Sequence, residues 1–80
     1  MSVEKIIEKM RNSPNNIDFT DLKKVCDERF GATRNKATSH RTYKVPGRAH
    51  RINIQNDGTG KAKAYQVRQV LEALDELGSN

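Results

Sequence analysis

Among the side chains here that can act as nucleophile, general acid or base, or soft metal ligand are two histidines, His40 and His50, one cysteine, Cys26, and hydroxyls such as Ser39. Two histidines ten residues apart, with no cysteine pair and few acids nearby, make a poor zinc set, and no metal or cofactor is expected. Ser39 and His40 are adjacent, so on a strand their side chains point to opposite faces, which disfavours a Ser–His pair. Cys26 falls on the apolar side of a predicted helix and reads as a core thiol. One chemistry needs no more than is present. RNA carries its own nucleophile, the 2′-hydroxyl. A histidine with a near-neutral pKa can take that proton or protonate the leaving 5′-oxygen. Cations can stabilise the charge growing on the phosphoryl oxygens. His40, with Lys36, Arg41 and Lys44 around it, has the minimum equipment. A histidine that only contacts phosphate, or only lies on the surface, fits the same residues.

The elements that must position His40 follow from periodicity. Val3, Ile6, Ile7 and Met10 recur at helical spacing, with Ser2 as N-cap and Pro14 as the stop. A second helix begins at Asp18, with Asp21 three residues on in the manner of a capping box. Ile17 and Leu22 are placed for a hydrophobic staple, and Gly31 for the end. Its buried stripe is Phe19, Leu22, Val25, Cys26 and Phe30. The middle is extended: "ATRNKA", "SHRTYKV" and "RAHRINIQ" read as three strands, the last two joined at Pro46–Gly47 by a type II turn. If Tyr43, Val45, Ile52 and Ile54 face the core, then His40, Thr42, Lys44, Arg51, Asn53 and Gln55 face outward. A third helix carries Val67, Val70, Leu71, Leu74 and Leu77 inward. The order predicts an α+β domain spanning 1–80, a first helix over 1–13 and a core over 14–78, with helices on one face of a three-stranded antiparallel sheet.

"DGTGKAK" resembles a phosphate loop only superficially. Gln55 stands where the first Walker glycine belongs and Ala62 where Ser or Thr does. Its glycine N–H groups with Lys61 and Lys63 suit either a polymer phosphate or a plain turn.

Charge narrows the partner. Of the net +5, residues 29–68 hold ten basic and one acidic side chain, while both ends are net acidic. A basic block between acidic ends points to a localised anion, most often nucleic acid. With hydrophobic residues at 34% and mean hydropathy of −0.90, the chain has a small core and a large polar surface. No run is apolar enough for a membrane span and no secretory leader is evident, so a cytoplasmic location is expected.

"NSPNNIDFTDL", "KATSHRTYKV" and "YQVRQVLEAL" together resemble the HicA toxins, the ribonuclease half of HicA–HicB toxin–antitoxin pairs. The resemblance runs from Asn12 to the end of the last helix. It implies a double-stranded-RNA-binding-domain-like fold, cleavage of mRNA, His40 as the catalytic residue, and a HicB-type antitoxin covering the basic face. Thr38 stands where the family usually has glycine, and Arg41 where a second histidine is common. On this reading Arg34, Lys36, Arg41, Lys44, Arg51, Lys61 and Lys63 contact RNA. The alternatives are a non-catalytic RNA-binding module on the same fold, and a small interaction protein whose basic face binds only an acidic partner.

Overall fold

The computed structural model describes residues 2–31 and 40–78, with His40 described through its backbone. Helix α1 (Val3–Asn12) starts where Ser2 Oγ accepts the Lys5 N–H at 3.3 Å, and buries Val3, Ile6 and Met10. Helix α2 (Phe19–Phe30) buries Phe19, Leu22, Val25 and Cys26. Burial pushes the Cys26 thiol pKa far up, in keeping with an inert core residue. The capping box expected at Asp18 does not form. The Asp18 carbonyl accepts the Asp21 and Leu22 N–H groups, both at 3.1 Å, but its carboxylate makes no cap bond and accepts from Lys61 instead. Gly31 ends α2 as expected, at φ 89° and ψ 164°. That is a fully extended positive-φ conformation open essentially to glycine alone, not the helical left-handed cap.

Among the described residues, strands β1 (His40–Tyr43) and β2 (Ile52–Gln55) form a two-stranded antiparallel sheet, pairing His40 with Gln55, Arg41 with Ile54, Thr42 with Asn53 and Tyr43 with Ile52. The strand expected over residues 32–37 lies outside the described residues. Both strands are shorter than their alternation suggests. Pairing ends at Tyr43–Ile52, and residues 44–51 connect them through a turn in which the Arg48 N–H reaches the Val45 carbonyl at 3.1 Å. Gly47 supplies the positive φ, 81°, that the third residue of a type II turn requires.

The chain returns through residues 56–63 to helix α3 (Ala64–Gly78). This return is knitted to the entrance of α2: the Ala62 N–H donates to the Ile17 carbonyl at 2.8 Å and the Phe19 N–H to the Gly60 carbonyl at 2.9 Å. Helices α2 and α3 lie against the buried face of the sheet, while α1 packs on α2 and α3 and touches neither strand. Tyr43, Val45, Ile52 and Ile54 meet Leu22, Val25, Val67, Val70 and Ala73 in one core. The inward stripe of α3 is shifted from the expected one. Gln66 and Ala73 are buried, and Leu71, Leu74 and Leu77 are only partly so. Among the described residues the protein is thus α+β, with three helices and a hairpin sheet. No helix among the described residues is long and apolar enough to cross a membrane.

Candidate nucleic-acid interface

His40 opens β1 opposite Gln55, at the end of the sheet away from the connecting turn. Beyond it the two sides of the hairpin separate by alternation. Tyr43, Val45, Ile52 and Ile54 are buried, while Lys44, Arg51 and Asn53 are exposed. On this outer side the Thr42 hydroxyl donates to Asn53 Oδ1 at 2.8 Å, tying the strands together. The outer side therefore carries a polar cross-strand pair with Lys44 and Arg51 beyond it, as strand parity predicts. Arg34 and Lys36 lie outside the described residues.

Arg41 does not join that surface. Its position opposite Ile54 puts it in the core-facing set, and its side chain turns toward α2 and is only 19% exposed. There the Asp27 carboxylate accepts the Tyr43 hydroxyl at 2.6 Å and faces Arg41 Nη1 at 3.4 and 3.5 Å. Tyr43 is 1% exposed. Burial first, and then the bond to Asp27, pushes its phenol pKa well up and keeps it a hydrogen-bond donor at any physiological pH. Parity read from the sequence already separates position 41 from 40, 42 and 44. Asp27 was missed, although it lies with Thr20, Lys23, Lys24 and Glu28 at helical spacing on one polar face of α2.

Lys61 and Lys63 flank a closed turn. Asn56 Oδ1 accepts the Gly58 and Gly60 N–H groups at 2.8 and 3.0 Å, and Asp57 Oδ1 accepts the Thr59 N–H at 2.8 Å and its hydroxyl at 2.6 Å. The N–H groups that a phosphate loop would offer are thus used by the turn itself. Lys61 Nζ donates to Asp18 Oδ1 at 2.7 Å, and Lys63 starts α3 through its carbonyl, which accepts from Gln66 and Val67.

The acids of this region also set its response to pH. The bond from Lys61 holds the Asp18 carboxyl below its ordinary value, and the Thr59 hydroxyl and N–H do the same for Asp57. A carboxyl whose pKa is lower in the folded state favours folding above its unfolded pKa, and that contribution disappears as pH falls through the folded one. The melting temperature is therefore expected to be level from neutrality down to about pH 5 and to fall below about pH 4. Asp18→Asn should flatten part of that fall. An acid limb identical in the variant would show that the Lys61–Asp18 pair plays no part.

Basic and acidic segments that are separate in sequence interleave in space. Arg29 meets Glu4 at 3.3 Å, Arg48 meets Glu76 at 3.0 Å, Lys61 meets Asp18 and Arg41 meets Asp27, each pair joining the basic block to an acid outside it. Among the described residues Lys44 and Arg51 belong to no such pair, which leaves the outer side of the hairpin with undiluted positive charge. The chain matches no family model, and no curated protein or solved structure is significantly similar to it.

Proposed function

We propose that the protein is a HicA-type toxin, a metal-independent endoribonuclease that cleaves mRNA in the cytoplasm and is held in check by a HicB-type antitoxin. The observation that carries this reading is the position of His40 at the head of β1, on a hairpin whose outer side displays Lys44 and Arg51 without acidic partners. The third strand over residues 32–37, and with it the double-stranded-RNA-binding-domain-like sheet, belongs to the same proposal.

In the reaction the 2′-oxygen attacks the adjacent phosphorus. The P–O2′ bond forms, the P–O5′ bond breaks, the 2′-hydroxyl proton leaves to a base, and an acid supplies a proton to the departing 5′-oxygen. His40 performs one of these two transfers. Lys36 and Lys44 hold the non-bridging oxygens, and Arg51, with Arg34, Lys61 and Lys63 farther off, draws the backbone onto the face. The products are a 2′,3′-cyclic phosphate and a 5′-hydroxyl.

The test is incubation of purified protein with RNA in excess EDTA. Cleavage with cyclic-phosphate ends is expected, while the same sequence as DNA or as 2′-O-methyl RNA should stay intact. Salt-sensitive binding with no products would sink the ribonuclease reading in favour of a non-catalytic module. Cleavage of the 2′-O-methyl RNA would sink the mechanism.

A further inference from the structure

Arg41 is the residue next to His40, and its resting place is unsatisfactory for a guanidinium. Its side chain lies at a shallow notch of about 490 Å³ between α2 and β1, lined with Thr20, Lys23, Lys24, Asp27 and Glu28. Its Nε is buried and without an acceptor, the one such side-chain atom among the described residues. Its Nη1 contacts to Asp27, at 3.4 and 3.5 Å, are long for a charge-assisted bond, which settles near about 2.7–2.9 Å. Asp27 meanwhile accepts its short bond, 2.6 Å, from the Tyr43 hydroxyl. The guanidinium has thus left water at Nε without gaining a strong acceptor elsewhere, a state that calls for a second arrangement of the side chain.

Turning outward to the mouth of the notch restores all its donors to water or to an anion. Lys23 and Lys24 lie there, and three cations against two carboxylates leave the notch net positive. The planar fork fits a phosphodiester through two parallel bonds. We propose that Arg41 exchanges Asp27 for a backbone phosphate of RNA at this notch, with Lys23 and Lys24 flanking it, so that the bound strand runs from α2 across the head of β1. Asp27 then acts as a competing anion that holds Arg41 when RNA is absent, while Tyr43 keeps Asp27 in place in both states. An RNA chain is favoured over an acidic protein segment because its regularly spaced phosphates can pass from this notch around β1 to Lys44 and Arg51 on the other side of the hairpin. The inference rests on the RNA reading above but not on catalysis.

Its test is the affinity for a 2′-O-methyl RNA oligonucleotide, which lacks the nucleophile and reports binding alone. Asp27→Asn, which keeps an acceptor for Tyr43, is expected to tighten binding about tenfold, equivalent to about 1.4 kcal/mol. Glu28→Gln removes the same charge from the same notch without touching Arg41, and should tighten it by no more than about twofold. In the Arg41→Ala background the gain from Asp27→Asn should vanish. Unchanged or weaker binding by Asp27→Asn overturns the proposal, as does an equal gain from Glu28→Gln or a gain that survives without Arg41. A gain for poly-glutamate but not for the RNA would reassign the notch to an acidic protein and overturn it too. Should a variant fail to fold, the Arg41 Nε–H resonance of the wild type gives an independent reading: it is expected to shift on saturation with the oligonucleotide, and no shift overturns the exchange. Natural RNA left uncut by the wild type would count against the ribonuclease while these binding results stand apart.

Discussion

His40→Ala is expected to lower the rate of RNA cleavage by about 10²–10⁴-fold, the usual loss when a positioned general acid or base is removed. The domain should stay folded. His40 is the first residue of β1, and its pairing with Gln55 is made by backbone that alanine keeps. Cleavage of a fluorescent RNA substrate and the melting temperature, measured on the same preparation, separate the two effects. A variant that cleaves at near wild-type rate removes His40 from the mechanism. The non-catalytic alternative predicts something different: His40→Ala would then change RNA affinity no more than Lys44→Ala does, because each would be one contact among several.

Ile54→Ala is expected to have the largest effect on stability. Ile54 is fully buried, lies opposite Arg41, and belongs to the strand against which both α2 and α3 pack. Truncating such a side chain costs about 2–5 kcal/mol, through lost transfer free energy and the cavity left behind. A chain of this size has only about 4–12 kcal/mol in total. The melting temperature should fall by roughly 10–30 °C, and the denaturant midpoint should drop with little change in slope. Asn53→Ala, one residue away on the exposed side, removes only the bond from Thr42 and should cost about 1 kcal/mol. Equal effects at 53 and 54 would mean that the hairpin has no buried side.

These two neighbours also show how much of the molecule was legible in its sequence. Alternation in "RINIQ" was enough to put Ile52 and Ile54 inside and Asn53 outside, because one buried face leaves a strand only one acceptable parity. The three helices were legible in position, with Ser2 as a working cap, and so was Gly47 in the connecting turn, but the capping box at Asp18 and the full burial of Leu71, Leu74 and Leu77 were not. What the sequence hid was partner choice over distance. Asp18 looks like a helix cap until the chain folds and brings Lys61 within 2.7 Å. Arg41 looks like a companion of His40 until Asp27 arrives from α2. The charge blocks mislead in the same way, since a count along the chain cannot show Glu76 beside Arg48. Local geometry follows from local pattern, whereas a flexible charged side chain goes to whichever opposite charge the finished fold presents.

Gln66 has a consequence beyond being a polar residue in the core. Its Oε1 accepts the Gln55 N–H at 2.6 Å, on the edge of β2 away from β1, and its Nε2 donates to the Tyr65 hydroxyl at 3.2 Å. A hairpin of two four-residue strands closed by residues 44–51 is marginal alone and free to slide. Once α3 docks, sliding β2 by one residue would carry Gln55 past Gln66, strand a buried amide oxygen and turn Ile54 into solvent. Gln66 therefore works as a detent: it clicks into one notch of the ladder and no other. The place of His40 opposite Gln55 is thus set by a side chain on α3, and the strand that carries it acquires its final alignment when α3 docks.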